Sequence, residues 1–574
     1  MLSYVGMYIA RVPNRNSPPA ILLRESYRDN GKVKSRTLAN LSQLPAESID
    51  VLRRSLKGEQ LVPLNKAVEI ITSLHHGHIA AVLLAMRRLD LARCIDSRPS
   101  RERDLLVAMI TARIVAPDSK LATTRWWQDT TLPASLGIED ASEDDLYMAL
   151  DWLLERQGRI EKKLAARHLD RDGLALYDLS SSYFEGTTCP LAAFGHNRDG
   201  KKGKQQVNYG LLTNALGIPV AISVFDGNTA DPKTLLAQVT RVRENFDIDR
   251  FVLVGDRGMI TQKQVDALRQ ESGVEWITAL RPEAIRKLFD GGALQMDLFD
   301  QRNLFELTHP DFPGERLVAC RNPELAKRRS LKRASLLLAT TKELDKVCAM
   351  VARGRLKGED KIGVRVGKVI NKYKVAKHFL LNIEARRFSY TIDQDRVAAE
   401  AALDGLYVIR TSLDDQRISA DDAVRSYKQL STVERAFRSM KTMDLHVRPI
   451  HHRLETRVRA HIFLCMLAYY VQWHMLAAWR ELLFCDEDQD AKTTRDPVAP
   501  AQRSQSALHK AHSHTLNDGS DVHSFQTLLH HLSTIVRSIC RIPGANVDTP
   551  PFEVATKPNA KQQRAYELLK TISV

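Results

Sequence analysis

The sequence predicts a mixed α/β protein whose strand-rich central region lies between helical segments, and three observations indicate this fold class. Apolar residues recur at helical spacing over residues 67–169. Short apolar runs typical of strands come next, over residues 174–254. The stretch between Asp256 and Glu434 is far longer than one connection in a compact core needs, so we expect an inserted domain there.

The composition predicts a globular protein of several domains with a polyanionic partner. The chain has 574 residues, of which 44% are hydrophobic and 27% are charged, a balance typical of folded proteins with ample core. Lys and Arg number 84 against 69 Asp and Glu, which gives a net charge of +15. This excess favours contact with DNA, although charge alone would also fit a merely basic surface.

Cysteine usage and hydropathy predict a cytoplasmic protein without membrane contact. The seven cysteines are scattered and include no Cys-x2-Cys pair, which predicts reduced thiols and no zinc site. The N-terminal residues lack the pattern of a signal peptide. The most apolar stretch, residues 462–479, is interrupted by Gln472 and His474, so we expect a buried core helix there.

Residues 1–62 are predicted to form a β-rich basic region. Three strand-like runs indicate a β-meander, at residues 8–12, 20–25 and 32–38. The sequence Asp29-Asn30-Gly31 is a typical hairpin turn between the last two runs. The basic side chains of this region either grip the DNA backbone or form a solvated sheet face, and the charge pattern favours neither.

Residues 63–172 are predicted to be helical, with a long helix from Glu143 behind an acidic first turn. Within this region, Trp126 and Trp127 are more typical of a core than of a platform for base stacking, because large aromatic side chains usually bury area.

Residues 173–275 are predicted to form the first part of an α/β core. Four strand-like runs indicate its sheet, at residues 174–183, 207–214, 219–225 and 251–254. A helix is expected over residues 232–244. Lys201, Lys202 and Lys204 lie in a turn between the first two runs, where they either meet DNA or only solubilise the loop.

Residues 276–417 are predicted to be an inserted, partly β domain, and residues 418–480 return to the core. Three strand-like runs support this, at residues 379–383, 388–392 and 406–411. The basic cluster at residues 327–333 fits a DNA contact or a solvated helix face equally well.

Residues 481–574 are predicted to be a linker and then a C-terminal helix. Residues 486–521 contain few large apolar side chains, which is typical of a linker or disordered segment. Residues 525–542 have helical periodicity, and we expect this helix to serve packing or dimerisation. His530 and His531 are expected to be surface residues.

One predicted helix carries an acid and a base on the same stripe. Ser419 with Asp422 can form a capping box that starts it. Tyr427, Glu434 and Lys441 are seven residues apart each time, so in a regular helix they share one stripe. Arg438 borders this stripe. An adjoining apolar face could fasten the helix to the sheet, formed by Val433, Phe437 and Met440.

Two aspartates, Asp178 and Asp256, each close a short apolar run. Carboxylates at the ends of buried strands can converge on hard cations, and paired cations can cut and rejoin phosphodiesters. Taken singly, Asp178 also fits a strand-end cap, Asp256 a turn former and Glu434 a solvated helix residue. Taken together in a basic chain, the three acids favour a catalytic triad acting on DNA.

The chain resembles the bacterial insertion-sequence transposases with an Asp-Asp-Glu triad, specifically the subgroup with a Tyr-x2-Arg-x3-Glu-x6-Lys motif. Tyr427, Glu434 and Lys441 match this motif in spacing, while Leu430 stands where the motif has arginine. Further segments carry the resemblance, at residues 126–127, 177–186, 226–231, 255–259 and 448–455.

The resemblance implies a fold and an activity. The fold is a ribonuclease-H-like core with a helical DNA-binding region before it. The activity is cleavage of DNA at the ends of the element and strand transfer to target DNA. Asp178, Asp256 and Glu434 would be the catalytic residues and would bind two Mg²⁺ ions, with Mn²⁺ as a substitute. The partner would be double-stranded DNA, the terminal inverted repeats and the target, bound by a homodimer in the DNA complex.

The motif also assigns phosphate contacts to Tyr427 and Lys441, and Arg438 is the third expected DNA-binding residue. Leu430 cannot supply the contact of the motif arginine, for which Arg438 or Arg435 could compensate. His451 and His452 either touch DNA or have only a local role. Two alternative functions stay open, a nuclease without strand transfer and a catalytically inactive, transposase-derived DNA-binding protein.

Overall fold

The computed structural model describes residues 3–15, 17–59, 68–295, 299, 302–490, 494–543 and 549–573. It has a mixed α/β fold, which confirms the predicted fold class at this level. The chain divides into two compact units, one formed by residues 1–74 with 537–556 and the other by residues 75–536 with 557–574. The predicted boundary between residues 62 and 63 lies outside the described residues.

The strands are, in chain order, β1 (Ser3–Val12), β2 (Ala20–Asp29), β3 (Lys32–Asn40), β4 (Glu69–His75), β5 (Leu174–Tyr183), β6 (Gln206–Asn214), β7 (Pro219–Asp226), β8 (Phe251–Gly255), β9 (Val274–Ala279), β10 (Leu304–Leu307), β11 (Arg316–Arg321), β12 (Phe379–Glu384), β13 (Arg387–Ile392), β14 (Leu406–Thr411), β15 (Val536–Arg541) and β16 (Phe552–Ala555).

The α-helices are, in chain order, α1 (Ala46–Leu56), α2 (Gly77–Arg88), α3 (Leu91–Ile95), α4 (Arg101–Val115), α5 (Lys120–Trp126), α6 (Leu132–Leu136), α7 (Glu143–His168), α8 (Asp231–Thr240), α9 (Gln262–Leu268), α10 (Pro282–Asp290), α11 (Pro323–Ala352), α12 (Glu359–Tyr373), α13 (Gln394–Ala401), α14 (Ala420–Lys428), α15 (Leu430–Arg438), α16 (Glu455–Ala478), α17 (Gln505–Ser513), α18 (Phe525–Ser533) and α19 (Ala560–Lys570). Turns of π-helix extend α8 (Arg241–Asn245) and α15 (Ser439–Met443).

The smaller unit contains an antiparallel meander in the order β1-β2-β3, as the sequence predicts. Asn30 and Gly31 form its tight turn with φ of 47° and 78°. Both residue types tolerate this left-handed conformation, which a hairpin of two central residues requires. The second sheet of this unit has the order β16-β15-β4.

The larger unit is built on an eight-stranded sheet in the order β10-β11-β14-β9-β8-β5-β6-β7. Strands β5, β6 and β7 form an antiparallel meander, whereas β5, β8 and β9 run parallel to one another. The helix α8 connects β7 to β8, close to the predicted range. A parallel pair needs such a crossover connection, because a tight hairpin can join only antiparallel strands.

Buried helices pack beside this sheet, and α16 is the most buried of them. Gln472 lies within it and is 0% exposed. The Oε1 atom of Gln472 accepts a hydrogen bond from the Ser439 hydroxyl at 3.0 Å, while its Nε2 atom has no partner among the described residues. The interruption of the apolar stretch is therefore a buried core residue, as predicted. No helix among the described residues is long and apolar enough to cross a membrane. Trp127 is also fully buried, which confirms its prediction as a core residue.

Two predictions for the C-terminal region are wrong. The predicted helix over residues 525–542 ends at Ser533, and its second half is the strand β15. The β-branched residues Ile535, Val536 and Ile539 fit both patterns. Pairing with the nearby β16 and with β4, which is distant in sequence, selects the strand.

The predicted linker over residues 486–521 contains α17, which the Ser504 side chain caps by accepting a hydrogen bond from Ala507 N. Val498, also in this range, is 1% exposed, so the segment packs against the core. Residues 491–493 of the predicted linker lie outside the described residues.

The predicted insertion over residues 276–417 is only partly separate from the main sheet. Its strands β10, β11 and β14 extend that sheet next to β9. The hairpin β12-β13 instead shares a small core of its own with α11 and α12. The sequence could not distinguish the strands that extend the main sheet from those of the separate hairpin, because a strand-like pattern does not indicate which sheet the strand joins.

Candidate active site

The aspartates that close two apolar runs are neighbours in the sheet. Strands β5 and β8 are parallel, and Tyr177 of β5 pairs with Gly255 of β8. Asp178 and Asp256 are the next residues in each chain segment. Tyr177 is fully buried, whereas its neighbour Asp178 is only partly buried. The register therefore brings the two carboxylates to the same edge of the sheet.

Glu434 reaches this edge from α15, which packs against β5. Val433 is 0% exposed, and the ring of Phe437 meets the ring of Tyr209 at 5.7 Å between centroids. Met440 is also buried, so the predicted apolar face is present and fixes the helix to the sheet. Glu434 lies on the exposed side of the same helix.

The helix that carries this acid is not the continuous helix that the sequence predicts. It starts at the predicted cap, where the Ser419 hydroxyl accepts a hydrogen bond from Asp422 N at 3.1 Å. The α-helix is then interrupted at Gln429, resumes at Leu430 and ends in a π-helical turn. A π-turn holds more residues than an α-turn and so rotates the side chains beyond it around the helix axis. Lys441 therefore leaves the common stripe and becomes buried.

The three acids interact electrostatically. The pKa of Asp178 is raised to about 7, chiefly because burial disfavours its charged form and further because the carboxylates of Asp256 and Glu434 repel it. The backbone N–H of Leu179 and the guanidinium of Arg198 act in the opposite direction. Within the described part of the chain, none of the three acids forms an ion pair. The site therefore brings three acidic side chains together without an ion-pair partner among the described residues.

Hydrogen bonds orient two of the carboxylates. Leu179 N donates to Asp178 Oδ1 at 2.8 Å, and Gly258 N donates to Asp256 Oδ2 at 3.2 Å. The hydroxyl of Tyr427 donates to Asp256 Oδ1 at 3.3 Å. Burial and the nearby Asp256 carboxylate raise the pKa of Tyr427, which therefore keeps its proton for this bond.

The donor set fits a divalent cation, although the side chains do not enclose one as they stand. Carboxylate oxygens are the ligands that Mg²⁺ prefers. The pKa of Asp178 is raised chiefly by burial and further by repulsion, and a bound cation would oppose both effects by favouring the charged carboxylate. Among the described residues, no three His, Cys, Asp or Glu side chains are placed to hold one metal ion.

Comparison with known families assigns the chain. Residues 183–471, slightly more than half of the chain, match the model of the transposase DDE domain. The chain belongs to the DDE transposases. Residues 9–62 match the N-terminal domain of the IS1634 family transposases, so this is an insertion-sequence transposase and a nucleic-acid-processing enzyme. Asp256 and Glu434 lie inside the larger match, whereas Asp178 precedes it.

One solved structure with some likeness is a piggyBac transposase synaptic complex with hairpin DNA, determined by cryo-EM. It shares 9% identity with this transposase, covers 79% of this chain and 76% of its own, and gives a TM-score of 0.33. At that TM-score the likeness carries no argument. No curated protein matches the chain.

Lys441 was expected to bind DNA, but the structure places it in a buried ion pair. Its ammonium lies 3.1 Å from Asp199 Oδ1, and its side chain is 10% exposed. Arg448 forms a second ion pair with the same carboxylate. Burial lowers the pKa of Lys441, and Asp199 opposes this shift. In this transposase, Lys441 therefore neutralises Asp199 and does not lie open to a phosphate.

Arg438 and Leu430 differ in solvent exposure. Arg438 is exposed and forms no ion pair with any described residue, so its guanidinium is available to DNA. Leu430 is only 8% exposed and belongs to the core. A leucine at this position thus serves packing, and the arginine of the motif has no counterpart there.

Sequence reasoning missed Asp199 and Arg198. Asp199 Oδ2 accepts a hydrogen bond from Tyr183 N at 3.0 Å, so Asp199 joins the end of β5 to the segment after α15. Arg198 forms an ion pair with Asp231 and still lowers the pKa of Asp178. Both residues lie in an irregular loop without periodicity. Asp199 stands in a segment that matches the family, but a loop or turn role suffices for it in the sequence, and Arg198 has no signal there.

Proposed function

We propose that the chain cleaves DNA at the ends of its own insertion sequence and transfers the strands to target DNA in a Mg²⁺-dependent reaction. Asp178, Asp256 and Glu434 would be the catalytic residues. One observation supports this above all: three acids from β5, the end of β8 and α15 lie close enough for two of them to raise the pKa of the third. Carboxylates that share a site in this way are typical of catalytic and metal-binding centres.

The layout of the sheet supports a ribonuclease-H-like core. The order β7-β6-β5-β8-β9 combines an antiparallel meander with two parallel strands that come after a helix. The spacing of Tyr427, Glu434 and Lys441 supports membership of the Tyr-Arg-Glu-Lys subgroup, despite Leu430.

The three acids would bind the metal ions, and neighbouring groups would orient two of them. Asp178, Asp256 and Glu434 would hold the divalent cations, two Mg²⁺ ions with Mn²⁺ as a substitute. When bound, such ions activate a water or a 3′-hydroxyl and stabilise the leaving oxygen. Leu179 N–H and Gly258 N–H keep two of the carboxylates in fixed orientations. Tyr427 positions Asp256 through its hydroxyl.

Arg438 would contact the DNA backbone, since it is exposed beside Glu434 on the same helix. Tyr427 and Lys441 would contribute phosphate contacts, Lys441 only after its ion pair with Asp199 opens. The partner would be double-stranded DNA, and two copies of the chain would act together in the DNA complex.

The proposal is tested with DNA that carries the ends of the element and with Mg²⁺. Wild type is compared with Glu434→Gln and with Glu244→Gln, a matched change of an exposed glutamate. We expect joined products from wild type and Glu244→Gln, and none from Glu434→Gln, while all three bind the ends in a gel-shift assay. Cut but never joined DNA would indicate a nuclease. Binding without cleavage by wild type, with Mn²⁺ also tried, would indicate a DNA-binding protein descended from a transposase.

A further inference from the structure

A cavity of about 650 Å³ lies beside the candidate active site, between α4, α5 and α7 on one side and residues 446–461 on the other. Its volume is in the range of pockets that hold small organic ligands. The cavity belongs entirely to the larger unit. The lining residues that matter are Arg113, Asp118, Lys120, Tyr147, His452 and His461.

The wall of this cavity holds buried positive charge without a counter-ion. Lys120 is 4% exposed and Arg113 is 7% exposed. Lys120 forms no hydrogen bond or ion pair with any described residue, and Arg113 donates only to the backbone oxygen of Asp118 at 3.1 Å. Asp118 is the one acidic residue in the lining, and its own side chain is exposed. Uncompensated charges of this kind are costly to bury, and a bound anion offsets that cost.

The neighbouring histidines respond to this charge. Burial together with Lys120 and Arg113 lowers the pKa of His452 to about 3. Burial and the positive charge of Arg113 lower the pKa of Lys120 itself to about 7. His461 is 5% exposed, and its Nδ1 has no hydrogen-bond partner in the described part of the chain. A buried polar atom without a partner indicates a missing ligand or solvent molecule.

Aromatic rings complete the wall. The ring of His452 meets the rings of Tyr147 and His461 at 6.0 Å and 4.9 Å between centroids. Arg457 lies over the Tyr147 ring at 4.7 Å and is paired with Asp151, so its charge is already compensated. The cavity thus combines ring surfaces with buried cationic side chains, which is the combination that bases and phosphates need.

The cavity is also connected to the candidate active site through Arg448. This residue lines the cavity and forms the ion pair with Asp199 that Lys441 shares. Nearby in the chain, Ile450 pairs with Phe184 just after β5. A ligand in the cavity therefore lies next to residues that position the end of β5.

We propose that this cavity binds a nucleotide, with its phosphate on Lys120 and Arg113 and its base against Tyr147 and His452. The nucleotide is either one unit of a DNA strand or a free mononucleotide, since both present the same chemistry. This binding goes beyond strand cleavage and does not depend on it.

The test uses the full-length protein without added divalent metal, so that binding is measured apart from cleavage. The probes are inorganic phosphate, deoxyadenosine monophosphate and a short single-stranded oligonucleotide, and calorimetry measures their binding. Lys120→Met keeps the length of the side chain and removes its charge. Lys342→Met, on the exposed face of α11, removes the same charge away from the cavity.

Wild type and Lys342→Met should bind the nucleotide probes alike, and Lys120→Met should bind them about tenfold more weakly, the loss expected for one charged hydrogen bond. Binding of the mononucleotide identifies a free nucleotide as the ligand, and binding of the oligonucleotide alone identifies a DNA strand. Equal affinities of Lys120→Met and wild type, or affinity for phosphate alone, would overturn the proposal.

Melting temperatures of the unliganded proteins serve as the folding control. Lys120→Met should be at least as stable as wild type, because it no longer buries an unpaired charge. A protein that binds nucleotides but never cleaves DNA would refute the proposed function and leave this inference standing.

Discussion

The ammonium of Lys441 lies 3.1 Å from the Oδ1 atom of Asp199, and both side chains are almost fully enclosed. This ion pair joins the turn after α15 to the loop that comes after β5. It places the motif lysine in a structural role within this arrangement. Phosphate binding by Lys441 would require the pair to open.

Asp199→Asn should destabilise the fold by about 2 kcal/mol, because it leaves Lys441 and Arg448 buried without their shared counter-ion. The value is smaller than for a wholly enclosed pair because Arg448 is 22% exposed. Urea unfolding measures the change. Asp247→Asn, which breaks an exposed pair with Lys162, serves as the control and should change little. Equal stability of the two variants would contradict the structural role of Asp199.

Tyr427→Phe should slow cleavage about tenfold and weaken DNA binding by less than that, because the hydroxyl would both position Asp256 and contribute a phosphate contact. The variant removes the hydroxyl that donates to Asp256 Oδ1 and keeps the ring. Single-turnover cleavage of end DNA measures the effect. If Tyr427 served only to bind phosphate, the affinity for DNA would fall instead, and the cleavage rate at saturation would not.

Leu430→Arg recreates the arginine of the motif, and we expect it to destabilise the protein by about 3 kcal/mol without raising activity. Leu430 is 8% exposed, so the new charge would be buried without a partner. The exposed neighbour gives the matched control Ser431→Arg, which should leave stability nearly unchanged. Thermal unfolding and cleavage assays would decide, and faster cleavage by Leu430→Arg would show that the position faces DNA.

The stability of the protein should depend on pH through Lys120. Burial lowers its pKa from 10.5 to about 7 in the fold, with Arg113 acting in the same direction and Cys465 against it. The unfolded chain then binds more protons than the fold between these two values, so this residue makes the unfolding free energy rise with pH over that window. Its contribution is lost as pH falls through about 7.

Chemical unfolding of wild type and Lys120→Met at about pH 6 and about pH 9 isolates this effect from other titrations. His452 and His461 also face Lys120 and are present in both proteins. The advantage of Lys120→Met should be larger at the lower pH. A stability difference between Lys120→Met and wild type that grows with pH would contradict the lowered pKa of Lys120.

The sequence predicts the positions of the acidic residues of this site better than the contacts of its basic residue, Lys441. Asp178 and Asp256 each follow a short apolar run, and such runs are typical of strands at the centre of a sheet. Their adjacency depends only on the register of two parallel strands. The partner of Lys441 depends on a π-turn and on a loop far away in the chain, neither of which leaves a periodic signal.

The same limit explains the C-terminal region. Residues 525–542 have apolar spacing that suits a helix throughout, yet β15 forms where partners from residues 69–75 and 552–555 are available. Local pattern cannot reveal β4, the partner that is distant in sequence. It does identify long elements such as α7 and α16, whose periodicity or length leaves one interpretation.

Cleavage of end DNA by Asp178→Asn is the decisive measurement for the three-carboxylate site, because this residue precedes the part of the chain that matches the DDE domain. Asp226→Asn, at the exposed end of β7, is the matched control. We predict that Asp178→Asn binds the ends normally and cleaves them roughly a thousandfold more slowly, while Asp226→Asn cleaves like wild type. Cleavage by Asp178→Asn within about tenfold of the wild-type rate would contradict the three-carboxylate site.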